Sequence, residues 1–134
     1  MSMTHHKRKH LILKGTKGYK QLDAEHISHI ICEDYLCMVH RISGEEVCVA
    51  KSLSFFESIL VSHHFFRINH HILVNLTQIE QVVMKGRSRK VVMKDGAELP
   101  VSVRKWPAFK DAMHYGTLTR QNDTLAVEND TVTK

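Results

Sequence analysis

The sequence has few of the residues that would indicate a secreted, membrane or zinc-binding protein. Its three cysteines form no Cys-x-x-Cys pair and are odd in number, so neither a disulfide framework nor a zinc ribbon is indicated. We expect three buried, reduced thiols. The apolar run after the basic residues 7–9 covers only residues 11–13, too short for a secretion signal or a membrane span. These absences predict a cytoplasmic protein without a membrane segment.

Catalytic and metal-binding motifs are missing as well. The sequence has no Gly-rich phosphate loop, no nucleophile paired with a base, and no His-Glu-x-x-His spacing. The densest of its histidines are the pairs at 63–64 and 70–71, but adjacent strand residues point to opposite faces, so each pair offers one imidazole per side. We therefore expect no enzyme, no cofactor and no physiological metal.

Composition and charge suit one globular domain with a local basic region. Apolar residues make up 43% of the 134 residues and charged residues 25%, which is close to the globular average. Residues 85–110 contain eight Lys or Arg against two acidic residues, whereas residues 1–84 contain nine against eight. The net charge of +5 is therefore concentrated in one segment, as expected for a protein that contacts a polyanion.

Hydrophobic periodicity predicts a chain of short strands with two helices. We assign residues 1–9 to a flexible basic leader, 10–114 to the folded domain and 115–134 to a disordered tail. Alternation and turn signals predict strands at 10–14, 27–42 with an interruption near 33–34, 65–68, 72–76, 77–85, 90–94 and 98–103. Helical spacing predicts helices at 52–60 and 104–113, and Asp23 is the expected N-cap of one further turn.

Two local details can be checked against a structure. Either Ser52 or Ser54 can cap the first helix, because each precedes its apolar stripe at a suitable distance. If the turn at residues 43–44 is a two-residue loop, Arg41 faces Glu46, His40 faces Val47 and Val39 faces Cys48.

The segment at residues 65–76 is the one around which the chain is organised. Its two apolar runs are rich in aromatic and β-branched residues, as is typical of half-buried strands. Asn69, His70 and His71 separate these runs. We expect the three polar side chains at a turn between two strands, where a rigid scaffold can present them to a partner.

A second candidate contact is the basic hairpin tip at residues 85–89. It combines Lys85, Arg87 and Arg89 with Ser88 and a glycine, a composition that can approach a phosphate backbone while arginine reaches base edges. On its own such a tip is more often a solvated turn. The hairpin tip becomes a stronger candidate because the chain also has a polar turn at 69–71 and a basic pair at 104–105, and the three could converge on one face.

The motif Phe-x-Arg-Ile-Asn-His-x-x-Leu-Val-Asn at residues 65–75 resembles the most characteristic segment of LytTR-type DNA-binding domains. Residues 94–102 resemble the Asp-Gly hairpin and Pro-Val-Ser strand of that family, and residues 27–33 resemble its first core strand. The resemblance covers about residues 10–113. It implies a mainly β fold of elongated antiparallel sheets stacked in layers, with one or two short helices and no recognition helix. The chain departs from the family where Asn69 and His70 replace the usual His followed by Arg or Lys.

The resemblance further implies sequence-specific binding of double-stranded DNA by loops in the major groove, in transcriptional regulation. The nine residues before the first strand cannot hold a receiver domain, so we expect a stand-alone regulator or a piece of a longer protein. A homodimer on direct-repeat sites is the assembly that we consider. The expected DNA-binding residues lie in three connections: Asn69, His70, His71, Lys85, Arg87, Ser88, Arg89, Arg104 and Lys105.

Two alternative functions stay open at this point. The first is a protein-interaction module of the same fold that modulates another regulator, and the second is a metal-responsive binding protein that uses its histidine pairs. Salt dependence of DNA binding separates the first alternative from DNA recognition. Metal titration tests the second.

Overall fold

The computed structural model describes residues 10–60 and 64–121 of the chain. The predicted leader at residues 1–9 and residues 122–134 of the predicted tail lie outside the described residues. The described part contains ten strands and two helices: β1 (His10–Gly15), β2 (Gly18–Asp23), β3 (Ile27–Glu33), β4 (Leu36–Arg41), β5 (Glu46–Val49), α1 (Leu53–Leu60), β6 (Phe65–Asn69), β7 (Ile72–Asn75), β8 (Ile79–Lys85), β9 (Ser88–Met93), β10 (Glu98–Pro100) and α2 (Trp106–Gln121).

The strands form two antiparallel sheets. The larger sheet has the order β2-β1-β5-β4-β3-β7-β6, and the smaller sheet has the order β10-β9-β8. Every recorded strand pairing is antiparallel. The predicted fold class, mainly β with antiparallel sheets and two helices, is therefore confirmed. Neither described helix is long and apolar enough to span a membrane.

Two hydrophobic cores lie on opposite sides of β7. One core packs α1, through Leu53, Phe56 and Leu60, against one face of the larger sheet. The other core joins β6, β7, the smaller sheet and Phe109 of α2. Leu73 belongs to the first core, whereas Ile72 and Val74 belong to the second. All four residues of β7 are buried, as the unbroken apolar run Ile-Leu-Val of this strand predicts. The turn that precedes β7 is therefore attached to a rigid strand.

The β4–β5 hairpin differs from its predicted register by one residue. Val39 faces Val47 and His40 faces Glu46, so the prediction that Arg41 faces Glu46 is wrong. The loop has three residues instead of two: Gly44 adopts a φ of 100°, its amide donates to the Arg41 carbonyl, and the Arg41 amide donates to the Glu45 carbonyl. A type I turn followed by such a glycine gives this geometry, and the residue sequence alone does not distinguish the two loop lengths.

The prediction of three reduced thiols is also wrong. Cys32 and Cys37 face each other across β3 and β4 and form a disulfide, with 4.0 Å between their Cα atoms. Cys48 is a half-buried free thiol. The cysteines meet because the two-residue turn at Asp34, which has a positive φ, returns the chain directly on itself. A spacing of five residues indicates a cross-strand pair only after the hairpin register is known.

The ends of the helices decide the open capping questions. The Phe55 amide donates to the Ser52 hydroxyl at 3.2 Å, so Ser52 caps α1 and Ser54 lies inside the helix. Asp23 stands at the N-cap of the short 3-10 turn Ala24–His26, but its side chain makes no capping hydrogen bond. The second helix extends beyond its predicted end to Gln121, so the predicted tail boundary at residue 115 falls inside α2.

Strand β8 begins later than predicted and contains a bulge. The side-chain oxygen of Asn75 accepts hydrogen bonds from the Thr77 amide and hydroxyl, which starts a 3-10 turn at Leu76–Gln78 before the strand. Further along, Ile79 pairs with Met93 and Gln81 with Val92, so Glu80 is an extra residue on β8. At the other edge of the smaller sheet, Pro100 ends β10, a position where its missing amide removes no ladder bond.

Candidate nucleic-acid interface

The turn between β6 and β7 presents the first predicted group. Asn69 is the last residue of β6, and its side-chain oxygen accepts a hydrogen bond from the His71 amide at 2.7 Å. Its side-chain amide donates to the Pro100 carbonyl at 2.7 Å. A bidentate contact with adenine would need the same oxygen and nitrogen. Both polar atoms of Asn69 are therefore bonded within the protein, where they shape the turn and join it to β10.

The two histidines of this turn differ in their contacts. The Nδ1 atom of His71 lies 3.2 Å from the Cys32 carbonyl, which ties this ring to β3. The rings of His70 and His71 meet edge to face, with 5.0 Å between their centroids. His70 is exposed and its imidazole has no recorded hydrogen bond to the described residues. Of the three predicted side chains, His70 is therefore the one most available to a partner.

The basic hairpin tip is tighter than the sequence suggested. Lys85 pairs with Ser88, so the turn consists of Gly86 and Arg87 alone, and Gly86 adopts a φ of 59°. Arg89 lies in β9, where its Nη1 donates to the carbonyls of Gly86 and Ser88 at 2.9 and 3.1 Å. The exposed cations at the tip are therefore Lys85 and Arg87, whereas Arg89 supports the turn.

Arg89 also contacts the start of α2. Its guanidinium carbon lies 5.2 Å from the centroid of the Trp106 ring, and the Lys110 ammonium lies 6.0 Å from that centroid. Such cation–π contacts hold an arginine in place and reduce its freedom to meet a base edge. No feature of residues 85–89 alone predicts this contact, because Trp106 lies far along the chain.

A short segment after β10 connects the three predicted regions. The Val101 amide donates to the Arg89 carbonyl, and the Ser102 amide donates to the Ile68 carbonyl, both at 2.9 Å. Ser102 then accepts hydrogen bonds from the amides of Lys105 and Trp106, which starts α2. The ends of β6 and β9 and the residues before α2 are thus joined by backbone hydrogen bonds.

A surface pocket of about 520 Å³ brings two of the predicted regions together. Its lining contains Ser54, Glu57, Arg67, His70, Ser102, Arg104 and Lys105. The structure thus unites His70 with Arg104 and Lys105, while the tip at 85–89 contributes no lining residue and is linked through the Arg89 backbone. The sequence interpretation did not assign Arg67 to the site, although it belongs to the quoted motif and lies two residues before Asn69 in β6.

Acidic partners neutralise part of the basic region. Glu57 lies 3.1 Å from Arg67, and Glu98 lies 2.6 Å from the Lys90 ammonium. The hydrogen bond from Lys90 holds the pKa of the Glu98 carboxyl below its usual value, with a further contribution from the ammonium charge. Charge counted along the sequence therefore overstates the number of cations available to a polyanion.

A polar cluster around the buried His29, outside this pocket, links the two sheets. The Nδ1 atom of His29 lies 2.9 Å from the Ser28 hydroxyl and 3.8 Å from the Asp95 carboxylate of the β9–β10 turn. The His29 ring stacks on that of His40 with 4.3 Å between centroids. Burial lowers the pKa of His29 to about 4, aided by His40 and opposed by Asp95. Because serine and aspartate approach the same ring nitrogen, the imidazole cannot relay a proton between them as in a catalytic triad.

The predicted histidine pairs form no metal cluster among residues 10–60 and 64–121. The group of possible ligands that does occur in this part is Asp23, Glu25 and His26, whose ligand atoms lie within 4.8 Å of one another. Glu25 and His26 are exposed, and exposed acidic groups of this kind are common without an ion. His63 lies outside the described residues.

The fold is a small antiparallel β domain with two helices, and its pocket brings His70 together with Arg104 and Lys105. Comparison with known proteins gives the family. Residues 17–114 match the family described as the LytTr DNA-binding domain, so the chain belongs to that family. The resemblance seen in the sequence is therefore confirmed. The family is defined by DNA binding and not by catalysis.

A solved structure gives an independent match. It is the LytTr DNA-binding domain of a protein described as a methyl-accepting/DNA response regulator from Bacillus cereus. The TM-score is 0.68 at 21% sequence identity, and the match covers 78% of this chain and 95% of the other. At this identity the likeness concerns the fold. No curated protein sequence matches the chain significantly.

Proposed function

We propose that this domain binds duplex DNA sequence-specifically and thereby regulates transcription in the cytoplasm. Three connections would enter the major groove: the turn at 69–71, the tip at 85–89 and the segment at 101–105. The observation that carries the proposal is the pocket where His70 of one turn meets Arg104 and Lys105 of another. Chain segments distant in sequence thus share one cationic surface, as DNA-backbone recognition requires.

The contact residues have different roles in this proposal. Arg87 and Lys85 are exposed at the tip and reach DNA directly, with Arg87 as the base-reading side chain and Ser88 beside it. His70, Arg104 and Lys105 bind the backbone around the pocket. Asn69, His71 and Arg89 hold the two turns in place, because their polar atoms already have partners within the protein.

Selection of bound sequences from a random duplex pool, followed by a salt titration, tests the proposal. Each phosphate contact contributes about −0.9 to the slope of log affinity against log salt, so three such contacts give a slope of roughly −3 between about 50 and 200 mM salt. We expect Lys105→Ala to reduce the magnitude of the slope by about 0.9. The matched control is Lys17→Ala, which removes an exposed charge between β1 and β2, at the opposite edge of the larger sheet from β6.

Assembly can be measured on the same site. We propose that two copies bind a direct repeat, each through its own set of connections. Sedimentation of the complex with one or two copies of the selected half-site then gives one or two proteins per duplex. A single copy on the double site would contradict this arrangement while leaving DNA binding intact.

A second candidate function has one observation in its favour. An open groove of about 330 Å³ lies between β8 and α2 and is lined mainly by apolar residues: Val82, Met84, Trp106, Phe109, Lys110, Met113 and His114. Met84 is 62% exposed. Exposed apolar surface of this kind suits a protein partner. A flat salt response, or no duplex binding even at low salt, would favour the protein-interaction module over DNA recognition.

A further inference from the structure

Arg67 connects helix α1 with the turn that carries His70. Its Nη1 donates to the Glu57 carboxylate at 3.1 Å and lies 3.5 Å from the Ser54 hydroxyl, while its Nη2 donates to the His70 carbonyl at 2.9 Å. The side chain is 19% exposed. Both terminal nitrogens of this arginine therefore have acceptors within the protein.

Helix α1 gives this contact a fixed base. Leu53, Phe56 and Leu60 are buried in the first core, so Glu57 projects from a helix that is anchored on its other face. The guanidinium is planar and presents its donors in a rigid fork, so it can hold a carboxylate and a carbonyl in one defined geometry. Asn69 also holds this turn, because its side-chain amide donates to the Pro100 carbonyl.

We infer that Arg67, oriented by Glu57, is a positioning residue for DNA recognition rather than a direct ligand of DNA. It sets the place of the His70 backbone in the pocket and thereby the direction of the His70 side chain. The phosphate contact of His70 then fixes the register in which the domain reads the selected site, whereas random DNA requires no fixed register. The inference rests on the proposed function and adds to it that helix α1, through Glu57, controls how well the selected site is distinguished from random DNA.

Arg67→Lys is the most informative variant, because it keeps the charge but replaces two terminal nitrogens by one. We expect affinity for the selected site to fall about tenfold, as for one lost charge-assisted hydrogen bond, with affinity for random duplex changed less than about twofold. The salt slope should stay at the parent value. If Arg67 instead bound a phosphate directly, lysine would largely preserve affinity, and Arg67→Ala would reduce the magnitude of the slope by about 0.9.

Glu57→Gln distinguishes orientation of Arg67 from a simple charge effect, because the two predict different ratios of specific to random affinity. If Glu57 orients Arg67, its loss lowers the ratio of specific to random affinity. If Glu57 is only a negative charge near DNA, its loss raises both affinities by the same factor and leaves the ratio unchanged. The matched control is Glu45→Gln, which removes a carboxylate paired with Arg41 and Lys20 and should leave the ratio at the parent value.

Amide hydrogen exchange supplies a readout without DNA. The His71 amide donates within the turn, so Arg67→Lys should accelerate its exchange about tenfold, whereas the Ile30 amide in the core should exchange at the parent rate. If Arg67→Lys and Glu57→Gln both keep the parent exchange rate and the parent ratio of specific to random affinity, the positioning role is wrong. The proposed function would be unaffected by that result. A parent protein that binds no duplex would overturn the proposed function and this inference with it.

Discussion

The buried imidazole of His29 makes stability depend on pH in a defined direction. Burial lowers its pKa to about 4 in the folded protein, whereas a histidine in the unfolded chain has a pKa of about 6.5. Between these values the unfolded chain binds more protons than the folded protein. The free energy of unfolding must therefore fall as pH is lowered through this range, and His29 contributes no loss above it.

The size of the effect follows from the same two pKa values. A difference of one pH unit corresponds to about 1.4 kcal/mol, so His29 should reduce the free energy of unfolding by about 1.4 kcal/mol at pH 5.5 and about 3 kcal/mol at pH 4. The groups around the ring act in opposite directions: the stacked His40, itself 3.4 Å from Glu46, disfavours the proton, and Asp95 favours it. We expect Asp95→Asn to enlarge the loss.

Urea unfolding of the parent and of His29→Asn at several pH values measures this contribution. Asparagine does not titrate and can still meet the Ser28 hydroxyl, so the difference between the two proteins removes the background of surface carboxylates. The parent should lose about 3 kcal/mol relative to the variant between about pH 7.5 and pH 4. His26→Asn, at an exposed histidine, is the control. A difference between parent and His29→Asn that stays constant over this range would refute the reasoning.

Three further predictions concern the proposed interface. His70→Ala should weaken binding of the selected site, because this exposed side chain lines the pocket together with Arg104 and Lys105; parent-like affinity of the folded variant would place His70 outside the contact. On single-base variants of the selected site, Arg87→Ala should relax preference at one position, worth about 1–3 kcal/mol. Arg89→Ala, which loosens the turn that carries Arg87, should lower affinity for the selected site more than affinity for random duplex. Parent-like binding by both folded variants would remove this tip from the interface. Asn69→Ala should lower the free energy of unfolding in urea by about 1–2 kcal/mol, since the His71 amide and the Pro100 carbonyl lose their partner, and an unchanged value would show that water replaces both bonds.

The elements that sequence predicted well are those with strong local signals. The two apolar runs in residues 65–76 and the apolar stripe of α1 predicted strands and a helix close to their observed bounds. Asp95-Gly96 predicted a turn correctly: Gly96 adopts a φ of 95°, a conformation that glycine reaches more readily than residues with a side chain. These predictions depend on interactions between residues that lie close together in the chain, so the local sequence contains the information that they need.

The misses arose where the length of a loop or a contact between distant residues decides the outcome. The β4–β5 register depends on whether Gly44 closes a two- or three-residue loop, and the pairing of Cys32 with Cys37 depends on the turn between their strands. At the interface, the sequence places Asn69 among the expected DNA-binding residues but does not show that its side-chain amide donates to the carbonyl of Pro100, thirty-one positions away. Residue type alone does not show whether a polar side chain faces solvent or another part of the protein.

The bulge at Glu80 has a consequence for how copies of this domain behave in solution. In the described part of the chain, β8 forms one edge of the smaller sheet, so the outer backbone groups of this strand are available to another strand. Regular edges of this kind promote aggregation, and natural proteins interrupt them with bulges and charged residues. Glu80 provides the irregularity and Lys85 a charge at the other end of the strand. We expect that deletion of Glu80 makes β8 more regular and its edge more prone to pair with a strand of another copy.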